Sequence, residues 1–239
     1  VPLINEGKVV SYKSSEYAKD MGTPERYRRV QEDYNSGICD AKNLANKQKA
    51  IFLDRDGTIN EYVGFLRKEE DFRLIPGVSE AIKKINNSGY LAIVVTNQPV
   101  IARGEVTEEE LEEIHKKMET LLGLDGAYID DIYYCPHHPD KGFEGEIPEL
   151  KIECDCRKPK TGMLEKAARE HNINLSSSIM IGDSTLDIKM AENAGMQSVL
   201  LKTGQKGEDG KYDVSPTLIA EDLNDAINKI ICKKASKKL

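Results

Sequence analysis

The chain has 239 residues, of which 39% are hydrophobic and 31% charged, and its formal net charge is −7. This length suits one substantial core or a domain with an appendage, and the negative charge argues against sequence-independent binding of nucleic acid. Because no apolar run approaches the ~20 residues that cross a bilayer and no secretory signal pattern is present, we expect a cytoplasmic protein without a membrane partner.

Residues 1–48 are richer in Tyr, Asn and Ser than the rest of the chain, and we expect them to form an N-terminal appendage. Within them, residues 11–37 (SYKSSEYAKDMGTPERYRRVQEDYNSG) resemble the C-terminal end of sugar-phosphate nucleotidyltransferases, in which a D-x-G-T-P-E-x-Y segment closes the catalytic domain. The Gly-rich nucleotide loop of that family is absent, so no transferase activity follows. The resemblance implies a fused or associated nucleotidyltransferase; the alternative is a helix-containing appendage without a function.

Short apolar runs alternate with amphipathic patterns from residue 49 onward. The runs predict strands at 49–54, 90–96, 130–135, 178–183 and 197–201, and the patterns predict helices at 76–89, 107–122, 163–171, 186–195 and 223–231. Apolar strands separated by helices indicate right-handed crossovers and a parallel sheet covered on both faces. We therefore predict a doubly wound α/β domain over residues 49–232, followed by a basic tail at 233–239.

Acidic residues follow two of the predicted strands. Asp54 and Asp56 alternate along an extended segment, so both side chains point the same way past the strand end, and Gly57 then allows a tight turn. Asp183 ends another strand in the same manner, and active sites of doubly wound sheets lie beyond the carboxyl ends of the strands. Because like charges this close repel unless a cation sits between them, these oxygen ligands indicate a Mg²⁺ site. An isolated D-x-D pair could equally be a solvated turn.

Motifs at these strand ends resemble those of the haloacid dehalogenase (HAD) superfamily of phosphohydrolases. They occur in the expected order along residues 49 to about 232: DRDGT at 54–58, Thr96 in VVTNQ, Lys158, and Asp183 with Asp187 in GDSTLD. The resemblance implies a HAD-like Rossmannoid sheet. It also implies that Asp187 orients Lys158, or groups beside the metal, rather than binding the metal directly.

The same resemblance implies a covalent mechanism. Asp54 is expected to attack phosphorus and form an aspartyl-phosphate, which divides one difficult displacement into two easier ones. Asp56 is expected to protonate the leaving alkoxide and later to activate the hydrolytic water. Thr96 and Lys158 are expected to bind the transferring oxygens. The implied Mg²⁺ is held by Asp54, the backbone carbonyl of Asp56 and Asp183, and offsets the repulsion between carboxylate and phosphate.

A loop of about 27 residues without clear periodicity follows the strand predicted at 130–135. Compact domains rarely tolerate such a loop unless something holds it. Four soft ligands stand in two closely spaced pairs at its ends, Cys135 with His137 and Cys154 with Cys156. In a cytosolic chain they fit a tetrahedral structural Zn²⁺ site better than disulfides. His138 is an alternative ligand, and the matching family motif uses the position of His137.

Within the superfamily, DRDGTIN, TNQ…IARG, CPHHP and CDCRKP…GM are similar to the branch of D-glycero-D-manno-heptose 1,7-bisphosphate 7-phosphatases, with histidinol-phosphatases as neighbours. The separation of 19 residues between Cys135 and Cys154 is similar to that of the heptose enzymes. The resemblance implies removal of the 7-phosphate in activated-heptose biosynthesis. It also implies that Arg157 recognises the second phosphate, and that further residues contact the substrate: Asn97 and Arg103, with Gly64 and Phe65 bordering the sugar.

No insertion after the first or second motif is large enough for a separate cap domain, so we expect the zinc-stapled loop and its neighbours to shape the pocket. Pro99 and Val100 stand where this branch commonly has Ser-Gly, which makes the second-motif loop stiffer and bulkier. Two other functions are compatible with the motifs, a histidinol-phosphate phosphatase and a catalytically idle scaffold for a nucleotidyltransferase. Retention of the complete motif set disfavours the scaffold: Asp54, Asp56, Thr96, Lys158 and Asp183.

Overall fold

The computed structural model describes residues 3, 6–9 and 14–235, with side chains described through residue 231. The chain divides into two units, Val1–Asn46 and Lys47–Leu239. The predicted basic tail lies outside the described side chains, as do residues 11–13 of the nucleotidyltransferase-like segment. None of the helices in the described ranges combines the length and the apolar composition needed to span a bilayer.

The described part of the first unit is built around helix α1 (Pro24–Asn35), which is followed by the short helix α2 (Ile38–Ala41). Thr23 caps α1, because its hydroxyl accepts a hydrogen bond from the Arg26 amide at 3.2 Å, and proline suits the first helical turn. The buried Asp33 on α1 accepts hydrogen bonds from Tyr17 at 3.0 Å and from Lys19 at 2.9 Å. These bonds hold the segment before the helix against it.

The second unit contains a six-stranded parallel sheet in the order β3-β2-β1-β4-β5-β6. Its strands are β1 (Ala50–Leu53), β2 (Leu91–Asn97), β3 (Asp131–Cys135), β4 (Ile179–Gly182), β5 (Gln197–Leu201) and β6 (Leu218–Ala220). The predicted doubly wound α/β fold is confirmed. The sequence reasoning missed β6 because a three-residue strand is too short to show a period.

Helices cover both faces of the sheet: α3 (Val78–Asn86), α4 (Pro99–Ala102), α5 (Glu108–Leu124), α6 (Gly162–Glu170), α7 (Thr185–Asn193) and α8 (Leu223–Ala235). Short 3₁₀ turns occupy Glu69–Asp71, Pro148–Leu150 and Leu175–Ser177. All four residues of β1 are buried, and alternate residues face opposite sides. Ile51 and Leu53 pack in the cluster that includes α3, α5 and α8, whereas Phe52 packs with α6 and α7.

Helix α5 begins at the capping box that its sequence predicts. The Thr107 hydroxyl accepts from the Glu110 amide at 3.1 Å, and the Glu110 carboxylate accepts from the Thr107 amide at 2.8 Å. This reciprocal pair fixes where the helix starts, and therefore which residues face the sheet. The buried side of α5 includes Leu111, Ile114 and His115.

The register of the strands brings their carboxyl ends together. Leu53 of β1 pairs with Val94 of β2 and with Ile181 of β4, and Asn97 of β2 pairs with Cys135 of β3. The residues that directly follow these strands therefore lie along one edge of the sheet. Within residues 47–235, no separate cap unit interrupts the domain.

Candidate active site

Three buried carboxylates meet at this edge of the sheet. Asp54 follows β1, Asp183 follows β4, and Asp187 lies in the first turn of α7; oxygen atoms of all three lie within 4.8 Å of one another. Burial removes the water that would otherwise weaken their mutual repulsion. The arrangement therefore requires positive charge at its centre.

Lys158 supplies one positive charge. Its Nζ lies 2.9 Å from Asp54 Oδ1 and 2.6 Å from Asp187 Oδ1, and the lysine is 3% exposed. Asp187 is held in turn by Ser184, whose hydroxyl donates at 2.7 Å. The Lys158 amide donates to Asn97 Oδ1 at 3.0 Å, and the Asn97 side chain donates to the Lys158 carbonyl at 3.3 Å. The lysine belongs to a loop, yet β2 and α7 fix its position.

One lysine does not balance the acidic charge. Burial raises the pKa of Asp54 to about 7, with Lys158 opposing the rise and Asp187 adding to it. Burial also raises the pKa of Asp183 to about 8, and the charges of Asp54 and Asp187 add to the rise. Burial alone would lower the pKa of Lys158, but Asp187 and Asp54 raise it. A further cation would relieve this shortage of positive charge, and an all-oxygen ligand set fits Mg²⁺.

Backbone packs closely around Asp183. The Gln205 amide donates to its Oδ2 at 2.6 Å, and the Gly207 amide donates to its carbonyl at 2.7 Å. Gly57 and Gly204 have positive φ angles of 81° and 51°, and a Cβ at either position would overlap the Asp183 carboxylate. Glycine is therefore required at both positions if the Asp183 carboxylate is to stay where it is.

The Asp56 carboxylate faces a different set of partners. Arg55 Nη2 lies 2.8 Å from its Oδ2 and 3.1 Å from its Oδ1. The Gln98 side chain donates to Oδ2 at 3.0 Å, and the Asn60 side chain donates to Oδ1 at 3.0 Å. Burial alone would raise the Asp56 pKa, but the Arg55 charge and the amide hydrogen bonds hold it below its usual value.

Sequence reasoning missed these partners of Asp56. Arg55 lies inside DRDGT and Gln98 inside TNQ, but the motifs predict roles only for the residues next to them. Pro99 begins α4, where its ring suits the first turn, and Val100 is buried beside Ile101. The departure from Ser-Gly therefore adds a helix-starting residue and a buried apolar contact directly after Gln98.

The predicted catalytic and substrate-binding residues line one cleft. Its walls include Asp54, Asp56, Thr96, Asn97, Lys158 and Asp183, together with Gly64, Phe65, Arg103 and Arg157. Tyr62, from the EYVGF stretch that the resemblance places beside the sugar, also lines the cleft. Sequence reasoning did not assign several other lining residues to the cleft, among them His138, Gln205 and Lys211. Tyr62 and Gln205 contact each other across the rim, because the Gln205 side chain donates to the tyrosine hydroxyl at 3.0 Å.

Two arginines add positive charge to the cleft. The Arg103 guanidinium lies between two phenyl rings, 4.3 Å from the centre of Phe65 and 4.4 Å from the centre of Phe143. Arg157 donates to the His137 carbonyl at 3.2 Å, and burial lowers its pKa. Guanidinium groups recognise phosphate through paired hydrogen bonds. The cleft therefore offers an anion-binding region in addition to the carboxylate site.

The cysteines and the histidine of the long loop form a second cluster. Cys135 Sγ lies 3.5 Å from Cys154 Sγ and 3.1 Å from Cys156 Sγ; Cys156 Sγ lies 3.3 Å from Cys154 Sγ and from His137 Nδ1. These separations are too long for disulfides. A tetrahedral zinc site with bonds of about 2.3 Å has ligand separations of roughly 3.8 Å, so the cluster fits that geometry with slight contraction.

The structure places the two neighbouring histidines of the loop differently. His137 joins the three cysteines within 4.8 Å, whereas His138 lines the cleft and accepts a hydrogen bond from the Asp140 amide at 3.1 Å. The hydrogen bond with Cys135 is the main cause that lowers the pKa of Cys156 to about 5, against the effect of burial. A thiolate at this position suits a metal ligand.

Comparison with known proteins adds to this geometry. A family model described as HAD-hydrolase-like matches residues 155–226. D-glycero-beta-D-manno-heptose-1,7-bisphosphate 7-phosphatase of Haemophilus ducreyi is 44% identical over 160 residues, which are 66% of this chain and 85% of that protein. D-glycero-alpha-D-manno-heptose-1,7-bisphosphate 7-phosphatase of Photorhabdus laumondii is 43% identical over 160 residues, with the same coverage of 66% and 85%.

A solved structure is also similar. D,D-heptose 1,7-bisphosphate phosphatase from B. bronchiseptica, in complex with magnesium and phosphate, superposes with a TM-score of 0.69 and 31% sequence identity. The match covers 78% of this chain and 99% of that chain. The similarity therefore extends over the whole of a protein that was crystallised with a metal ion and an anion of the kinds the cleft suits.

Proposed function

Because the chain belongs to the HAD-like phosphatase family, we propose that it is a phosphoric monoester hydrolase that removes the 7-phosphate of D-glycero-D-manno-heptose 1,7-bisphosphate. One observation carries the proposal: a buried carboxylate site and two guanidinium groups line a single cleft. The first can accept a reacting phosphate, and the second can bind a phosphate that does not react. The names of the relatives agree with such a substrate.

Asp54 is the proposed nucleophile. One carboxylate oxygen attacks phosphorus, the bond from phosphorus to O7 of the sugar breaks, and the electron pair leaves with O7. Lys158, 2.9 Å from Asp54 Oδ1, orients the carboxylate and faces the transferring oxygens. Thr96, which is buried and lines the cleft, is the proposed second donor to those oxygens. Such preorganised donors stabilise charge where it develops in the transition state.

Asp56 is the proposed proton carrier. It gives a proton to O7 as the ester bond breaks, and it then takes a proton from the water that attacks the aspartyl-phosphate. This second proton is the one given in the next turnover, and Asp56 must keep it against the lowering of its pKa by Arg55. The second step releases inorganic phosphate and restores the Asp54 carboxylate. This role requires an Asp56 carboxyl that is held in one orientation beside the reacting atoms, since proton transfer depends on reach.

The ligand atoms in the cleft and in the loop fit two different metals. Asp54 and Asp183, with the backbone carbonyl of Asp56, would hold Mg²⁺, and the charge shortage described above fits that ion. When bound, Mg²⁺ supplies positive charge that offsets the repulsion between carboxylate and phosphate. A second set of residues would hold structural Zn²⁺: Cys135, His137, Cys154 and Cys156.

Arg103 and Arg157 are the proposed site for the second phosphate, with Asn97, Gly64 and Phe65 in contact with the sugar. Histidinol phosphate lacks a second phosphate and carries an amino group, so two guanidinium groups would not favour it. The relatives at 44% and 43% identity are named for opposite anomers, so identity does not choose between the anomers. The complete catalytic set also disfavours an idle scaffold.

The function of the first unit is a separate proposal. The D-x-G-T-P-E-x-Y segment forms the capped start of α1, with Asp20 before the cap and Tyr27 in the first turns. The resemblance of this segment to the end of a nucleotidyltransferase supports an association of this chain with such an enzyme. That enzyme would use the anomeric phosphate that a 7-phosphatase leaves on the sugar. Sedimentation of a mixture of this chain and a heptose-1-phosphate nucleotidyltransferase tests the association, and independent sedimentation of the two would refute it.

A phosphate-release panel tests the main proposal. The panel contains both anomers of the heptose bisphosphate, histidinol phosphate and simple sugar monophosphates, each with and without Mg²⁺. We expect the highest kcat/KM for one heptose bisphosphate, and turnover only with Mg²⁺. A higher kcat/KM for histidinol phosphate would overturn the substrate, and turnover that is unchanged without a divalent ion would overturn the metal.

A further inference from the structure

The Arg55 guanidinium is a buried charge that the mechanism above does not use. The residue has 0% exposure, and it is the largest fully buried side chain among those described. Burying a guanidinium is costly unless its hydrogen bonds are made and its charge is paired. Its partners should therefore show what the residue does.

Those partners are Asp56 on one side and His115 on the other. Arg55 Nη2 contacts both oxygens of the Asp56 carboxylate at 2.8 and 3.1 Å, and its Nε contacts Oδ1 at 3.3 Å. Arg55 Nη1 lies 3.3 Å from Nε2 of His115. The guanidinium therefore joins the proposed proton carrier to a histidine 60 positions along the chain.

His115 reaches this point because α5 presents it to the interior. It is 7% exposed, although it shares its side of the helix with apolar residues such as Ile114. Its ring packs against Tyr134 of β3, with the ring centres 5.9 Å apart. The capping box at Thr107 sets the helix register, so the position of the imidazole is fixed by the fold and not by the cleft.

We infer that Arg55, braced by His115, is a positioning residue that holds the Asp56 carboxyl in the orientation needed for proton transfer to the leaving oxygen. The inference rests on the proposed function. A guanidinium that binds both carboxylate oxygens prevents rotation of the group, and the fork geometry is one that lysine cannot reproduce. His115 prevents the guanidinium itself from rotating away. Neither residue needs to touch the substrate.

The role has a kinetic signature that a merely structural role lacks. Proton donation matters for a basic alkoxide leaving group, and it matters little for a weakly basic aryloxide such as p-nitrophenolate. The ratio kcat/KM reports the steps up to formation of the aspartyl-phosphate, so it isolates this proton transfer from the later attack by water. A misoriented Asp56 should therefore steepen the dependence of log kcat/KM on the pKa of the leaving group.

The experiment measures that slope for a series of aryl and alkyl phosphate monoesters and for the heptose bisphosphates. The variants are Arg55→Lys, His115→Leu and His115→Gln, in which the glutamine retains a hydrogen-bond acceptor for Arg55. We expect kcat/KM for alkyl esters to fall about 10–100-fold in Arg55→Lys and less in His115→Leu. This loss is smaller than the ~10²–10⁴-fold that general acid catalysis provides, because Asp56 itself remains. For p-nitrophenyl phosphate we expect less than about a threefold change. His115→Gln should restore most of the loss.

Two controls keep the outcome decisive. Lys116→Gln changes the neighbouring exposed residue of α5 and should leave every rate unchanged. Far-UV circular dichroism and thermal unfolding show whether each variant folds. If Arg55→Lys does not fold, the His115 variants test the inference. Equal losses for alkyl and aryl esters would overturn the inference. Failure of the wild type on heptose bisphosphates would refute only that substrate, and failure on every monoester would refute both proposals.

Discussion

The carboxylate cluster and the cysteine–histidine cluster are both suited to metals, but they are built in opposite ways. Asp54, Asp183 and Asp187 come from the ends of buried strands and the start of a helix, so the folded sheet positions them. Of the four residues in the cysteine–histidine cluster, only Cys135 belongs to a strand, and the remaining three lie on a long loop. The fold positions the first cluster, whereas the second cluster joins the two ends of its own loop. Damage to the first should therefore remove chemistry, and damage to the second should remove order.

The largest expected effect is at the carboxylate cluster. Asp54→Asn should lower phosphate release by about 10⁴-fold or more, because loss of a covalent nucleophile has effects of this size. The fold should survive, since the amide has nearly the same volume. Phosphate release and thermal unfolding measure the two outcomes. Asp213→Asn, an exposed exchange of the same type, serves as the control, and rapid turnover by Asp54→Asn would contradict the nucleophile.

The loop cluster should respond differently. Cys156→Ser should release zinc and accelerate amide hydrogen exchange in the loop, and kcat/KM should fall by about 10²-fold, the loss associated with a displacement of ~1 Å in a catalytic group. Zinc content and exchange at residues 137–160 measure this. Cys39→Ser in the first unit is the matched control. Retained exchange protection without zinc would mean that the loop holds itself.

A smaller effect is expected where the loop meets the cleft. Phe143→Leu removes one of the two rings that flank Arg103, and a cation–π contact contributes roughly 0.5–2 kcal/mol. We expect kcat/KM for the bisphosphate to fall about 3–10-fold, from a higher KM, with p-nitrophenyl phosphate unaffected. Tyr128→Leu, an aromatic exchange at a residue that does not line the cleft, should change neither rate. Equal losses for both substrates would contradict a role in anion binding.

The smallest expected effect is on stability as a function of pH. The pKa values of Asp54 and Asp183 are raised in the folded chain to about 7 and about 8, so folding favours their protonated forms. Their contribution to stability is full below the unfolded pKa, near 4, and is lost as the pH rises toward about 8. Without Mg²⁺ the Tm should therefore fall between pH 5 and about pH 8. The fall should be about 2–4 °C for each kcal/mol by which the free energy of unfolding decreases.

Two changes should flatten that profile. Saturating Mg²⁺ should raise the Tm more at pH 8 than at pH 6, because it binds the ionised carboxylates. Asp183→Asn should reduce both the fall and the response to Mg²⁺. Thermal unfolding by circular dichroism measures all three samples. A Tm that is independent of pH in the wild type would mean that these carboxylates are not short of positive charge.

Local patterns account for what the sequence predicted well. The strands that flank the site are continuous apolar runs, and the capping box of α5 lies within four residues, so each could be recognised without the rest of the chain. The carboxylate site could be predicted because the carboxyl ends of parallel strands meet at one edge of the sheet. The choice of His137 over His138 came from the family resemblance and not from a local pattern, and the structure places His137 with the three cysteines.

Contacts made across the fold could not be predicted in this way. His115 occupies a position on the apolar side of α5, and its pairing with Arg55 depends on how the crossover places that helix against β1. The two phenyl rings around Arg103 come from separate loops, and neither loop has a period that indicates where it lies. Long-range packing decides both arrangements.

The placement of Arg103 between two rings has a thermodynamic consequence. The centres of the two phenyl rings lie 4.3 and 4.4 Å from the guanidinium carbon, and the Arg103 Nε is buried without a hydrogen-bond partner among the described residues. Contact with two rings restricts the rotation of the side chain in the folded protein, before any ligand arrives. A phosphate bound there would be captured with little further loss of entropy. Calorimetry of inorganic phosphate should accordingly show a smaller entropic penalty in the wild type than in Phe143→Leu.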